Sequence, residues 1–411
     1  FKTKNRVCVV QATGTGKSYI IARVILNFSG KKTLLLSPSH YINRQFQSSF
    51  SYVASKIILD TYQGILADTK SKTKLKSYDL IILDEFHRVG AEKWGASLKE
   101  LIKHSSNPLI FGTSATPIRY LDQSRNMSEE IFESNIAEEL SLSDAIVRNI
   151  LPSPIYISSL YTLKDECERI SNKLVDSDLS DIEQKKIQKK LDDISVDWEE
   201  AKGIPQLLKK NISPKMRKFI IFCQDSTHLN DMTDLVSSWF RKSDPKLVKR
   251  EKYIIKSSFK QKYNKQVLEC YQDAKKEKDT IHLLFCINML NEGLHINGVD
   301  GVILLRQTES PIIHYQQIGR CLKAQSSDQN PIIFDLVNNF KSIKSSNFKK
   351  DLELSLIKEN KIRVSNGLTA KKENIFIYDE SLEIEKVLLE IEKNIGSWDI
   401  RYNELINYKN K

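Results

Sequence analysis

Over its first 120 residues the chain alternates short, nearly unbroken apolar runs with longer stretches whose apolar residues recur at helical spacing. The runs Val7–Val10, Thr33–Ser37, Lys56–Asp60, Leu80–Leu83 and Leu109–Thr113 predict strands. Between them, Ser18–Phe28, Ile42–Val53 and Trp94–His104 predict helices. Strands apolar on both faces and separated by helices belong to a parallel sheet covered on both sides. Residues 128–150 read as one or two helices closing this unit, and Pro152 and Pro154 mark the exit from it.

From about Lys164 to Lys210 the chain is highly charged, with Ile170, Leu174, Ile182, Ile187, Leu191 and Ile194 at roughly helical spacing. This predicts a helical hairpin between two domains, with a narrow apolar seam on an otherwise solvated face. A partner-binding coil is the alternative. A second α/β pattern begins at Lys218, with strands at Phe219–Cys223, Tyr253–Lys256, Ile281–Cys286, Gly301–Leu305 and Pro331–Phe334. After Phe340 the pattern turns helical and charged. The expected division is 1–155, a helical connector at 156–212, a second α/β unit at 213–345 and a helical tail at 346–411.

Composition adds bounds. A chain of 411 residues, 40% hydrophobic and 28% charged, is an ordinary folded protein rather than a disordered or fibrous one. At roughly 100–200 residues per domain it holds two or three domains. No apolar run approaches the ~18 residues that cross a bilayer, and the opening apolar stretch is too short for a signal peptide. The six cysteines (Cys8, Cys167, Cys223, Cys270, Cys286 and Cys321) are scattered without a CxxC pair. His282 with Cys286 is the nearest thing to a ligand pair and has nothing beside it. Reduced thiols in the cytoplasm, with no metal staple, are expected. With 63 Lys and Arg against 52 Asp and Glu, the net charge of +11 suits a polyanion partner without proving one. The chain opens on Phe1, already close to an apolar strand, and closes on Asn-Lys just after a new helical pattern. It reads as a piece of a longer protein.

The strongest local signal is Gln11-Ala12-Thr13-Gly14-Thr15-Gly16-Lys17-Ser18, which follows a strand and opens a helix. Glycines let backbone N–H groups approach phosphates; Lys17 can reach the β- and γ-phosphates, and the Ser18 hydroxyl can ligate Mg²⁺. The usual pattern begins with glycine where Gln11 stands. A second apolar strand ends in Asp84-Glu85-Phe86-His87. One carboxylate at such a strand end can hold Mg²⁺, and the next can orient and deprotonate an attacking water.

In this order ATGTGKS, LLLSPSH, TYQG, DEFH and Ser114-Ala115-Thr116 resemble the motifs of superfamily 2 helicases, more narrowly the DEAD/DEAH-type and type III restriction helicase group. The series continues with KFIIFCQ at 218–224, FCINMLNEGLHINGVDGVILLR at 285–306 and YQQIGRCLK at 315–323. The resemblance covers about residues 5–340. It implies two RecA-like domains with ATP and Mg²⁺ between them. Thr13, Gly14, Thr15, Gly16, Lys17 and Ser18 would hold the phosphates, with Ser18 and Asp84 on the metal and Glu85 as the base. His87 would link the ATP site to the second domain, and Ser114, Thr116 and Glu292 would couple it to nucleic acid. Gly293, Gln316, Gly319 and Arg320 would complete the site, Arg320 as an arginine finger.

Two departures stand out. Lys323 occupies the place of a frequent second arginine, and His295 that of an aspartate. The resemblance also lacks the family's adenine-reading segment, which lies upstream of the phosphate loop. For the polynucleotide path it implies Ser37, Pro38, His40, Thr61 and Gln63 in the first domain, with Asn288 and Thr308 in the second. The basic runs Lys70–Lys76, Lys246–Lys252 and Lys275–Lys278 read first as solvated faces and second as nonspecific phosphate attraction. The closing SWDIRYNELINY resembles the start of a helicase-associated repeat; an amphipathic packing helix is the equal alternative.

The expected function is an ATP-dependent helicase or translocase, monomeric, with DNA favoured over RNA. The alternatives are an ATP-switched clamp or sensor, and the motor subunit of a restriction or phage-defence complex whose protein partner meets the connector or the C-terminal region. A nucleotide kinase shares the phosphate loop but leaves the second α/β unit unexplained.

Overall fold

The computed structural model describes residues 4–30, 32–71, 76–119, 125–159, 170–177, 179–200, 203–287, 296, 298–308, 311–322, 330–337, 348–372, 376–379 and 391. A first parallel sheet is built from β1 (Arg6–Gln11), β2 (Thr33–Ser37), β3 (Ile58–Thr61), β4 (Leu80–Asp84) and β5 (Leu109–Ser114). After a small ribbon of β6 (Ile118–Arg119) and β7 (Arg125–Asn126), β8 (Ile136–Leu140) joins its edge, giving the order β3-β2-β4-β5-β1-β8. Because successive side chains of a strand point to opposite faces, each strand feeds two cores. Cys8, Val10, Leu34, Leu36, Ile81 and Leu83 enter one, and Val7, Val9, Leu35, Leu80, Ile82 and Phe111 enter the other.

The second sheet contains β9 (Ile155–Ser158), β10 (Lys218–Phe222), β11 (Lys249–Ile255), β12 (Thr280–Cys286), β13 (Gly301–Leu304), β14 (Ile332–Asp335) and β15 (Phe376–Asp379). Its order is β11-β12-β10-β13-β14-β9-β15, again with every pairing parallel. The same alternation sends Phe219, Ile221, Leu283 and Phe285 to one face and Ile220, Phe222, Leu284 and Cys286 to the other. Two tandem α/β sheets flanked by helices are the architecture expected from the motifs.

Three expectations need correction. The stretch 128–150 is not purely helical: helices Met127–Phe132 and Leu142–Val147 flank β8, whose central residues are polar and exposed at the sheet edge. With glutamates facing solvent, that strand has no apolar alternation to announce it. The expected connector starts with a strand, since β9 inserts between β14 and β15. The tail has the helix Phe348–Ser365 but then adds β15 beside β9. Each of these strands is a short local sequence whose partner lies far along the chain, so tertiary pairing decides it.

Within the connector, residues 170–175 and Asp181–Glu200 are helical; Ile170, Leu174 and Leu191 are buried, whereas Ile182 is exposed. The lobes meet through one continuous core in which Ala12, Leu142, Ala145 and Leu151 pack with Ile318, Leu322, Phe348 and Leu352. Lys371 Nζ donates to the Val147 carbonyl at 2.7 Å, and Arg148 pairs with Glu359 at 3.6 Å, so helix Phe348–Ser365 braces Leu142–Val147. Among the described residues no helix is long and apolar enough to cross a membrane.

Candidate nucleotide site

β4, β5 and β1 are neighbours, with Asp84 opposite Thr113 and Val10 opposite Ser114. Their carboxyl ends therefore gather three motifs that are far apart in sequence, at the edge where open α/β sheets bind ligands. Beyond β1 the phosphate loop turns through Gly14 and Gly16, at φ 88° and 97°. L-residues with a Cβ reach this left-handed region at a cost, so glycine suits both positions. Thr15 Oγ1 donates to the Ala12 carbonyl at 2.8 Å and steadies the loop. The helix Lys17–Asn27 then starts with Lys17 and Ser18 facing the cavity.

That cavity measures about 570 Å³ and is lined by Thr13 to Ser18, by Asp84 and Glu85, and from the other lobe by Arg320. Lys17 Nζ lies 3.5 Å from Glu85 Oε1 and donates to the Gln11 carbonyl at 3.3 Å. Glu85 Oε2 accepts from the Ala115 amide at 3.4 Å and stands 3.6 Å from His87 Nδ1. His87 Nδ1 is also 2.8 Å from Ser114 Oγ, which donates to the Thr116 carbonyl at 2.6 Å. The predicted coupling residues Ser114 and Thr116 thus reach the carboxylate through one imidazole. Glu85 itself has φ 53° and ψ 51°. A non-glycine residue holds that conformation at a cost of about 1–3 kcal/mol, a strain common at functional sites.

The two carboxyls are driven apart. Burial first, then the Glu85 charge, push Asp84 up to about 6, against the Thr113 hydrogen bond at 2.8 Å and the charge of Lys17. Burial pushes Glu85 up as well, but Lys17, His87, the Ala115 amide and Arg320 outweigh it and hold this carboxyl below its ordinary value. A carboxylate kept ionised beside cations can orient a water and take a proton. Burial lowers the Arg320 guanidinium to about 10, with Glu85 opposing, and at that value it stays charged at neutral pH. Loop glycines, a helix start, Lys17 and Arg320 around one cavity fit a polyphosphate. Among the described residues no cluster of three His, Cys, Asp or Glu could cage a metal. A cation here would be shared by Ser18, Asp84 and phosphate oxygens, the usual manner of Mg²⁺.

The other predicted residues fall into groups. Gln316 is buried, and a Cβ on Gly319 would sit 3.3 Å from the Thr13 Cβ, so the second lobe's motif lies against the phosphate loop. Ser37 and Thr61 are register partners at the ends of β2 and β3, with His40 and Gln63 exposed beside them and Pro38 half-buried. Their hydroxyls have local work. Ser37 Oγ donates to the Ser39 carbonyl at 3.0 Å, and Thr61 Oγ1 accepts from the Gly64 amide at 3.0 Å. Ser37 also lines the nucleotide cavity, and Thr308 is buried after β13. Asn288, Glu292, Gly293, His295, Lys323 and the closing SWDIRYNELINY lie outside the described residues. In the basic runs, Lys252 pairs with Asp234 and Lys276 with Asp300.

Two contributors escaped the sequence reading. Thr113, just before the Ser-Ala-Thr motif, holds Asp84, and Tyr62 donates its hydroxyl to the Asp84 carbonyl at 2.8 Å. Position next to a motif at a strand end could have flagged Thr113, and Tyr62 lies within the TYQG run, which by itself gives its hydroxyl no partner.

Comparison with known proteins bears on the family and the fold. The family described as type III restriction enzyme, res subunit, matches residues 1–56 and 51–119, and the helicase conserved C-terminal domain matches residues 202–325. The type I restriction enzyme EcoAI endonuclease subunit of Escherichia coli is 24% identical over 347 residues, which is 77% of this chain and 41% of that protein. The chain thus spans less than half of that relative's length. The ATP-dependent type ISP restriction-modification enzyme LlaBIII bound to DNA has a TM-score of 0.55 at 17% identity, over 95% of this chain and 31% of its own. Dbp5 of S. cerevisiae, bound to RNA and ADP BeF3, gives 0.55 at 13% identity over 95% and 89%. These structural likenesses show the shared fold. With both family matches falling on the lobes that carry the site, the chain belongs to the superfamily 2 helicases, in their type III restriction-like group.

Proposed function

We propose that the protein hydrolyses ATP with Mg²⁺ to move along, or unwind, DNA. The observation that carries this reading is the meeting of Glu85 from one lobe and Arg320 from the other on a single cavity built over the phosphate loop. Lys17 and the loop amides bind the triphosphate, Ser18 and Asp84 hold the cation, and Glu85 orients and deprotonates the attacking water. Mg²⁺ bound there supplies charge neutralisation between the terminal phosphates. Arg320 brings planar, permanently charged donors to the transferring group, so hydrolysis depends on lobe closure. A polynucleotide gripped by both lobes then feels a different affinity in each state, which permits directed movement.

DNA is favoured because the type I restriction relative is named an endonuclease subunit. On this reading the chain works as the motor portion of a larger restriction or defence assembly in the cytoplasm. The first lobe extends to about residue 155, the second begins with β9, and residues 170–212 are an insertion. The test is the ATPase rate against single-stranded DNA, duplex DNA and RNA, with Glu85→Gln beside wild type. Stimulation by DNA and an inactive Glu85→Gln protein that still binds ATP are expected. Wild-type turnover by Glu85→Gln would remove the assigned base, and stimulation without displacement of a strand or triplex would favour the clamp.

A further inference from the structure

The cavity continues past the phosphate groups' place to a wall with no charge on it. Of its lining residues Glu85 and Arg320 are buried, whereas Tyr19 and Ser49 are exposed and Gln45 and Phe50 half-buried. Tyr19 is 68% exposed, far more than a tyrosine ring needs for anchoring a helix. It nevertheless has a defined place. A Cβ on Gly16 would lie 3.8 Å from Tyr19 Cδ2, so the ring flanks the phosphate loop. Its other neighbour is Phe50, at 5.0 Å between centroids and 89° between planes. Phe50 sits where the chain breaks between helices His40–Ser49 and Ser51–Ala54, at φ −134° and ψ 48°. Buried Phe46 backs it at 5.1 Å. An edge-to-face contact holds a ring in orientation while leaving flat aromatic surface uncovered.

We propose that the nucleobase of the bound nucleotide stacks on an aromatic shelf formed by the face of Tyr19, whose ring Phe50 holds in orientation. A nucleotide is a polyanion at one end and a neutral planar heteroaromatic at the other, and the cavity offers the phosphate loop, Lys17 and Arg320 to the first and uncharged aromatic rings to the second. The volume of about 570 Å³ falls within the range of small-ligand sites, roughly 300–1,000 Å³. Stacking on aromatic side chains tolerates any base, so this shelf supplies affinity for the nucleoside half rather than a strict choice among bases. The inference rests on the nucleotide reading above and adds where the base goes.

Calorimetric titration of the chain with ADP and, separately, with pyrophosphate tests it, both with Mg²⁺. Tyr19→Ala should weaken ADP binding by roughly tenfold, within the worth of one base–aromatic stack, and leave pyrophosphate affinity within about twofold. Tyr19→Phe should restore ADP binding, and Phe50→Ala should lower it in the same selective way. Unchanged ADP affinity in Tyr19→Ala overturns the shelf and leaves the nucleotide reading standing. Equal loss of ADP and pyrophosphate also overturns it, because Tyr19 would then only shape the phosphate loop. If wild type binds neither compound, both readings fall. Tyr19 is exposed, so its alanine variant is expected to keep the wild-type melting temperature, which checks that folding is intact.

Discussion

The carbonyl oxygen of Leu322 stands 2.4 Å from the point where a Cβ on Gly14 would lie. The two residues belong to different lobes, so the phosphate loop touches the backbone just beyond Arg320 with no room for a methyl group. Gly16 has a similar backbone, yet its nearest neighbour would be the Tyr19 ring at 3.8 Å. Gly14→Ala and Gly16→Ala therefore share backbone strain of about 1–3 kcal/mol, but only the first wedges the lobes apart. With a nonhydrolysable ATP analogue, small-angle scattering should show an expanded Gly14→Ala protein and a compact Gly16→Ala protein.

Arg320→Lys keeps a cation while removing the planar fork of donors. If the guanidinium meets the transferring phosphoryl group, the hydrolysis rate should fall by roughly 10³-fold, with ATP affinity nearly unchanged. Single-turnover hydrolysis beside a binding titration separates the two effects. A lysine variant with wild-type turnover would show that charge alone suffices.

His87 bridges Glu85 and Ser114, with Nδ1 2.8 Å from the Ser114 hydroxyl. Ser114→Ala removes one side of that bridge without touching the carboxylate. Basal hydrolysis should stay within about twofold, while the stimulation by DNA should drop by roughly fivefold or more, the lower range of a coupling between sites. The ratio of stimulated to basal rate is the measurement; loss of both together would mean that the serine merely supports the fold.

His314 is buried in the second lobe, with Nε2 3.0 Å from the Tyr156 hydroxyl, which donates to Asp335 Oδ2 at 2.8 Å. Burial lowers this imidazole to about 3, so it is neutral in the folded protein. The unfolded chain takes up the proton near pH 6.5, so between there and about pH 3 the unfolded state binds more protons. Stability from this group is present above pH 6.5 and is lost as the pH falls, by about 2 kcal/mol at pH 5. Urea midpoints at pH 7.5 and pH 5 should separate more in wild type than in His314→Gln.

The candidate phosphate-binding residues were legible because the chemistry proposed for them is local. A glycine-rich turn opening a helix at Lys17, and carboxylates at the end of an apolar strand, must be contiguous to work. The strands of both sheets were legible for a related reason: burial on two faces leaves little besides apolar residues in them. β8, β9 and β15 behaved otherwise. β8 carries glutamates towards solvent, and β9 and β15 are four residues each, so their identity rests on partners distant in sequence.

What the amino-acid order determined by itself is therefore the helicase family, the two-lobed plan and a set of candidate phosphate-binding residues. The resemblance implied that Arg320 completes the site of Glu85, but only the tertiary structure brings both to one cavity, closes Leu322 on Gly14 and sets Tyr19 against Phe50 beside the phosphate loop. Motifs are written along the chain, whereas these meetings join separate elements and, for the first two, separate lobes. They follow from which faces pack together, and no local pattern encodes that.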